Sequence, residues 1–266
     1  MKIKLSAIKK FIKPLSIIIL AITVVSFWTI AVLFFTDEFP TEDNCNVGIV
    51  RIYGELQTTP NDDWTWSFDV INQLKELNND KKIKAIVMEI NSPGGSQVAA
   101  MEIANELETI SKPKVAVIKD SGTSAAYYVA VANDYIIASE ASDIGSIGVT
   151  MSFLDNTDKN RKEGRSFVSL SSGKFKDTGN PDKDLSEEEK ALIMRDVNKA
   201  NDLFMEFVSK RRKLDISKVR QLADGSSMMG QMALVNGLID EVGDYIEAEK
   251  HLSQIMGENL IVCQNN

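Results

Sequence analysis

Apolar positions along the chain follow two different patterns. Short, dense apolar runs, which are typical of buried strands, occupy Val47–Tyr53, 83–90 and 115–118. Between these runs, over 68–77 and 98–107, apolar residues recur every three or four positions, which is the spacing of one helix face. Strands that alternate with helices predict an α/β domain with a mainly parallel sheet covered by helices.

The second half of the chain predicts fewer strands. The segment 166–170 is strand-like and leads into a turn that contains glycine. Ser186 followed by Glu189 is the pattern of a capping box, and it predicts the start of a long helix with one apolar stripe. We expect a short helix from Ser217 and a last helix over Tyr245–Met256.

The N-terminal part of the chain has the pattern of a membrane anchor. Residues 14–36 carry no charge, and these 23 residues, at about 1.5 Å each, span the hydrocarbon core of a bilayer. A cleaved signal peptide is the alternative, but the apolar run is long for one and lacks a small-residue cleavage site. The lysine-rich tail, 1–13, and the acidic linker, 37–46, predict a cytoplasmic N-terminus. The body, 47–266, then lies on the extracytoplasmic side of the cytoplasmic membrane.

Composition limits the class of partner. Of the 266 residues, 44% are hydrophobic and 26% are charged, which suits one globular domain plus an appendage. The first 36 residues hold five lysines and no acid, so a net charge of −8 for the whole chain leaves −13 for the rest. An acidic body of this kind argues against a nucleic-acid partner.

Ser124 is the first candidate for chemistry. It follows the apolar run over 115–118 and opens a predicted helix that reaches Ala132. A serine at such a turn has its hydroxyl near the unpaired N–H groups of the helix, where negative charge is stabilised. Nucleophilic serines use this arrangement. The alternative is that Ser124 only caps the helix, as serine often does.

A glycine turn is the second candidate. Gly94 and Gly95 lie between a predicted strand and a predicted helix. Without a Cβ, these residues let backbone N–H groups approach a ligand closely enough to hold an oxyanion. Taken by itself, an ordinary strand-to-helix turn is the simpler interpretation.

A nucleophilic serine also needs a general base. His251 is the only histidine and lies near the C-terminus between charged neighbours, so we expect it to have a surface role. Lysine is the alternative base in serine hydrolases. An unperturbed lysine, with a pKa of about 10.4, is neutral in roughly one molecule in 2,500 at pH 7, so a lysine base has to be desolvated.

Five motifs in the same order resemble those of the bacterial signal peptide peptidase A family, in its half-length, membrane-anchored form. They are Asn91-Ser92-Pro93-Gly94-Gly95, the Ser124 turn with Tyr127-Tyr128, Ile144-Gly145-Ser146-Ile147-Gly148-Val149, Ser172-Gly173-Lys174-Phe175-Lys176-Asp177, and 233–240. The similarity covers roughly 47–250. The resemblance implies a fold of the ClpP and crotonase-like superfamily, which shares the first motif.

The resemblance also implies a Ser-Lys dyad. Ser124 falls on the family's nucleophile and Lys176 on its general base, whereas Lys174 does not match. Gly95, with Gly94 beside it, and the N–H of Ala125 fall on the oxyanion hole. The family usually has Ala-Ser-Gly-Gly at the nucleophile, where this chain has Thr123-Ser124-Ala125-Ala126. Alanine keeps the N–H group and suits a helix better than glycine, so we expect activity to survive.

By this resemblance the chain is a membrane-anchored serine endopeptidase. The implied substrates are signal peptides left in the membrane and other unfolded extracytoplasmic peptides, with no metal or cofactor. The family also implies a ring-shaped homo-oligomer in which neighbouring protomers complete each site. Two alternatives are a crotonase-like acyl-thioester enzyme, which the anchor argues against, and an inactive membrane scaffold, which the presence of both dyad residues argues against.

Two cysteines lie at the ends of the body. Cys45 precedes the first strand and Cys263 lies three residues from the C-terminus. Outside the cytoplasm they could form a disulfide that closes a very long loop. Free thiols are the alternative, because the sequence does not give the separation of their Cα atoms.

Overall fold

Parallel strands form the centre of the domain. The computed structural model describes residues 45–258 and 260–263. The strands there are β1 (Val47–Tyr53), β2 (Leu56–Gln57), β3 (Thr65–Trp66), β4 (Ala85–Ser92), β5 (Lys114–Thr123), β6 (Tyr135–Ala138), β7 (Asp143–Gly145), β8 (Ser227–Met229) and β9 (Glu241–Val242). The helices are α1 (Ser67–Asn79), α2 (Gln97–Thr109), α3 (Ala125–Val131), α4 (Thr157–Lys162), α5 (Glu187–Arg212), α6 (Ile216–Leu222), α7 (Gly230–Asn236) and α8 (Tyr245–Met256).

The strand order confirms the predicted α/β class. In the main sheet the neighbours are β1, β4, β5, β6 and β9, and each of these pairs is parallel. β7 continues the sheet beside the end of β5 in parallel and pairs with β8 in the antiparallel direction. β2 and β3 form a separate short parallel pair. Because parallel strands end at the same edge, the loops after β4 and β5 lie side by side.

Helices cover both faces of the sheet, so its strands are apolar on both sides. On one face, Leu74 of α1, Ile103 of α2 and Tyr127 of α3 belong to the larger core cluster. On the other face, Ala248 and Leu252 of α8 pack against the strands in a second, smaller cluster. The sheet is therefore held from both sides, and its carboxyl edge stays open for loops.

The long helix α5 supports the short helix α3. It begins at the predicted capping box, in which the hydroxyl of Ser186 accepts the N–H of Glu189. Near its end, the guanidinium of Arg211 donates to the carbonyl oxygens of Val131 and Ala132. These are among the C-terminal carbonyls of α3 that have no partner inside that helix. A charged donor of α5 therefore fixes the end of the helix that Ser124 opens.

The prediction of a strand over 166–170 is wrong. The segment is irregular and exposed, with Leu170 97% exposed. It contains apolar residues that are common in strands, but it pairs with no strand among the described residues. A strand needs a neighbour to satisfy its backbone groups, so composition alone does not form one.

The ends of the described body are joined. Cys45 and Cys263 form a disulfide with a Cα–Cα separation of 4.9 Å, and the N–H of Cys263 donates to Val47 O at 2.8 Å. Of the two alternatives that the sequence left open, the disulfide is the one present. The predicted tail and anchor, 1–36, lie outside the described residues. In the part of the chain that is described, we find no helix with the length and apolar character of a membrane span.

Candidate active site

Ser124 occupies a strained turn between β5 and α3. Its φ of 52° and ψ of −125° form a combination that residues with a Cβ rarely adopt. The backbone N–H of Ser124 donates to Gly145 O at 2.7 Å, so the adjacent strand β7 holds the turn in place. Such strained strand-to-helix turns present nucleophilic serines in α/β hydrolases.

The hydroxyl of Ser124 does not cap the helix. Ser124 occupies the N-cap position of α3, but its side chain makes no capping hydrogen bond. A serine that was retained only for capping would accept the N–H of the second or third helical residue. The interpretation of Ser124 as a simple cap is therefore not supported by its geometry.

The glycine loop after β4 contacts this turn directly. An added Cβ on Gly94 would lie 2.8 Å from Ser124 Cβ and 3.0 Å from Ala125 N. One on Gly95 would lie 2.3 Å from Leu56 O, and the φ of Gly95 is +133°. A Cβ has no room at either position, so only glycine permits this close approach.

Two backbone N–H groups at the turn have no acceptor among the described residues. They belong to Gly95 and Ala125. Ala125 is the first residue of α3, whose N–H has no partner inside the helix. The N–H of Gly94, by contrast, donates to Ser92 Oγ at 3.1 Å. Paired, fixed N–H donors beside a serine hydroxyl are the elements of an oxyanion hole.

The structure adds two residues that the sequence did not indicate. Thr123, at the end of β5, donates its hydroxyl to Pro93 O at 3.1 Å and is 8% exposed. Leu56 donates its N–H to Gly94 O and accepts the N–H of Ser96, each at 2.7 Å. Together they fix the glycine loop against the serine turn. No pattern in the sequence marks contacts between residues this far apart.

The two candidate lysines differ in their surroundings. Both lie in the exposed turn over 172–179. Lys174 Nζ is 2.5 Å from a carboxylate oxygen of Glu188, whereas Lys176 pairs with no carboxylate among the described residues. Neither lysine is among the described residues that line the cavity at Ser124. Within one chain, the structure therefore brings together Ser124, Gly95 and Ala125 but not the lysine.

A cavity of about 500 Å³ opens at Ser124. Its lining includes Gly95, Ala125, one face of α5 and the loop over 223–225. Ser146 also lines it, with a φ of 48° and its hydroxyl donating to Gly225 O at 2.9 Å. The cavity gives a ligand direct access to the serine and to both unpaired N–H groups.

His251 lies elsewhere. Its ring stacks on Tyr135 of β6, with 3.7 Å between the ring centres. It is not among the described residues of the cavity. The structure therefore gives no support to a Ser-His pair.

Relatives at substantial identity share this region. A protein of Enterococcus faecium provisionally named signal peptide peptidase SppA is 36% identical over 192 residues, which are 69% of this chain and 56% of the relative. A provisionally named protease of Methanocaldococcus jannaschii is 35% identical over 187 residues, or 70% of this chain and 60% of that protein. Protease 4 of Haemophilus influenzae is 30% identical over 218 residues, or 80% of this chain and 35% of that protein. The chain thus spans between about one third and three fifths of these relatives.

Two family models match the chain. The model for Clp protease matches residues 50–142, which contain the glycine loop and Ser124. The model for peptidase family S49 matches residues 106–258, more than half of the chain, including Ser124 and Lys176. The chain belongs to peptidase family S49.

Proposed function

We propose that this chain is a serine endopeptidase anchored in the cytoplasmic membrane, with Ser124 as nucleophile and Lys176 as general base. The observation that carries the proposal is the strained turn at Ser124. The hydroxyl of this residue makes no capping hydrogen bond, and two backbone N–H groups at the turn have no acceptors among the described residues. This arrangement serves acyl transfer, because negative charge develops on a carbonyl oxygen when a hydroxyl attacks it.

The reaction proceeds in two halves. Neutral Lys176 takes the proton of Ser124 Oγ as Oγ bonds to the peptide carbonyl carbon. The N–H groups of Gly95 and Ala125 bind the resulting oxyanion. Collapse breaks the C–N bond while protonated Lys176 gives its proton to the leaving amine. Lys176, neutral again, then takes a proton from water as the water oxygen bonds to the acyl carbon. The C–Oγ bond breaks, the acid product leaves, and protonated Lys176 returns the proton to Ser124 Oγ.

Assembly of several chains is part of the proposal. Lys176 is exposed, yet a lysine base has to be withdrawn from water to be neutral. The segment 154–170, which precedes Lys176, carries several exposed apolar side chains. Among them are Leu154, Val168 and Leu170, which are 82%, 73% and 97% exposed. Such side chains mark an interaction surface. We propose that a homo-oligomer, a ring as in the family, covers this segment and completes the dyad.

The proposed substrates are signal peptides left in the membrane and other unfolded peptides outside the cytoplasm. The name of the Enterococcus faecium relative supports this class. The proposed anchor, 14–36, would hold the site close to such peptides, with the body outside the cytoplasm. If the topology is right, protease added to spheroplasts degrades the body; full protection of the body would contradict it.

Labelling with a fluorophosphonate tests the nucleophile. The purified full-length protein should become labelled, and Ser124→Ala should not. Peptide mapping should place the adduct on Ser124 and not on Ser146, whose hydroxyl donates to Gly225 O. Equal labelling of Ser124→Ala, or no labelling together with no peptidase activity in the wild type, would contradict the proposal.

A further inference from the structure

The described lining of the cavity at Ser124 mixes apolar and polar side chains and includes a single charged residue. Val197 and Phe204 of α5 and Tyr128 of α3 contribute apolar surface to its lining. Asp224 lies in the lining as well, and no lysine, arginine or histidine is among the described lining residues. The cavity therefore presents a carboxylate without a cation.

The carboxylate of Asp224 is oriented but not neutralised. Its Oδ1 accepts the N–H and the hydroxyl of Ser226 at 2.9 and 2.6 Å. Its Oδ2 accepts no hydrogen bond from another described residue, and no basic side chain of the described chain pairs with it. The hydrogen bonds from Ser226 lower the pKa of Asp224, so the group is ionised at neutral pH.

We propose that Asp224 forms a subsite for a lysine or arginine side chain of the peptide substrate. The inference rests on the proposed peptidase function and narrows its substrate class. Lysine and arginine have long apolar stems and a charged end, so they fit a cavity whose lining offers both apolar surface and an exposed carboxylate. The net charge of −13 over residues 37–266 also favours the approach of basic peptides.

The catalytic lysine is the other cation that could pair with Asp224. Lys176, from this chain or a neighbouring one, would then be held as an ammonium ion, because a nearby carboxylate stabilises the charged form. That effect opposes its use as a base, so we favour the substrate side chain. The two occupants predict different kinetics, which the following experiment separates.

The experiment uses short, internally quenched peptides and the full-length protein in detergent. Each peptide has one lysine at a different distance from the scissile bond in a neutral background, and a matched peptide has norleucine at that position. At one position, we expect kcat/KM for lysine to exceed that for norleucine by roughly fivefold, a small factor because the carboxylate of Asp224 is exposed to solvent, which screens an ion pair.

Asp224→Asn should bring this ratio close to one, because asparagine keeps the turn with Ser226 but carries no charge. Asp224→Lys should favour a glutamate peptide at the same position. The matched control is Asp215→Asn, because Asp215 also accepts the N–H of a serine two residues further on, Ser217. Asp215 is not among the cavity's described residues, so the ratio should not change. A preference for lysine that Asp224→Asn leaves intact would overturn the proposal.

Equal loss of activity with both peptides in Asp224→Asn, together with a shifted pH profile, would also overturn the proposal, because Asp224 would then act on the base. Binding to Ser124→Ala, followed by fluorescence anisotropy with the same labelled peptides, decides the case independently of turnover. Tighter binding of a lysine peptide that depends on Asp224 supports the subsite, and equal binding of all peptides rejects it. The absence of hydrolysis and labelling in the wild type would reject the peptidase function alone.

Discussion

At the scale of single residues, Thr123 connects the two loops that form the candidate site. Its buried hydroxyl donates to Pro93 O, next to the glycines, and its backbone leads directly into Ser124. Thr123→Val keeps the shape of the side chain and removes the hydrogen bond, which is worth about 1 kcal/mol. Since small displacements of the oxyanion donors reduce catalysis, we expect kcat to fall about tenfold with little change in KM.

Thr123→Ser is the matched control, because serine keeps the hydroxyl. It should retain most of the activity, and both variants should melt within a few degrees of the wild type. Steady-state kinetics with one quenched peptide and thermal unfolding provide both measurements. A fully active Thr123→Val would show that the hydrogen bond to Pro93 does not position the site.

The assignment of the general base to Lys176 and not to Lys174 can also be tested with single substitutions. The sequence alone leaves both open, and the resemblance favours Lys176. In the structure, Lys174 is paired with Glu188, whereas Lys176 has no carboxylate partner among the described residues. Lys176→Ala should lower kcat by about three orders of magnitude or more while folding and assembly persist, as for loss of a general base. Lys174→Ala should change kcat little, and the reverse result would reject the assignment of the base.

Residue-level prediction from sequence succeeds where a local pattern carries the information. Ser124 and the two glycines follow strands, so their position at the edge of the sheet could be foreseen. The positive φ of Ser124 and the contact of Thr123 with Pro93 could not, because both depend on how separate segments pack. The same holds for Asp224, which is about a hundred residues from Ser124 in sequence and lines the same cavity.

At the scale of secondary structure elements, the start of α5 is sensitive to pH. The side chain of Glu189 binds the ammonium group of Lys183, and its carboxylate also accepts the N–H of Ser186 at 3.0 Å. These contacts, above all the one with Lys183, lower the pKa of Glu189 from 4.5 to about 2. A lowered pKa means that the carboxylate stabilises the fold above about pH 4.5 and loses this contribution as the pH falls through about 2.

Thermal unfolding between pH 2 and pH 6 tests this linkage. Glu189→Gln keeps a capping side chain but cannot carry the charge. We expect the difference in melting temperature between the wild type and Glu189→Gln to be largest above about pH 4.5 and to shrink toward pH 2. Glu187→Gln, in the same helical turn, is the control for general charge effects. A constant difference over the whole range would contradict the assigned pKa.

The helices and strands that could be predicted from the sequence are those whose own residues carry the pattern of burial or capping. The capping box and the apolar stripe identified α5, and the dense apolar runs identified β1, β4 and β5. The segment 166–170 has the composition of a strand but pairs with no strand in the described part of the chain, so composition alone gave a wrong prediction. No described residue covers its exposed apolar side chains, and this exposure is the observation behind the proposed assembly.

At the scale of the whole molecule, the disulfide closes the described body. Cys45 and Cys263 are separated by 218 residues, and linking them restricts the unfolded chain strongly. Replacing both with serine should lower the free energy of unfolding by about 2–4 kcal/mol, as for other long-loop disulfides. Urea unfolding measures the change, and reduced wild type should match the double variant. Reaction of both thiols with maleimide in denatured, unreduced protein would show that the bridge is absent.

The proposed assembly makes the most specific prediction, because in this proposal a neighbouring chain brings Lys176 to Ser124. Lys176 is not among the described residues of the cavity, whereas Ser124 and the two residues with N–H groups that lack an acceptor, Gly95 and Ala125, line it. If neighbouring protomers exchange these groups, Ser124→Ala and Lys176→Ala are each inactive alone but complementary when mixed. The chain with Lys176→Ala supplies an intact serine, and the chain with Ser124→Ala supplies an intact lysine.

Random mixing of equal amounts should then restore about a quarter of the wild-type activity, since each site needs one intact group from each of two chains. The two variants are refolded together or allowed to exchange subunits. The activity of the mixture is compared with that of each variant treated in the same way alone. Leu170→Asp, which places a charge on the most exposed apolar position of the segment, should abolish both assembly and complementation while the monomer stays folded. Activity that persists in a folded Leu170→Asp monomer would show that one chain completes its own dyad.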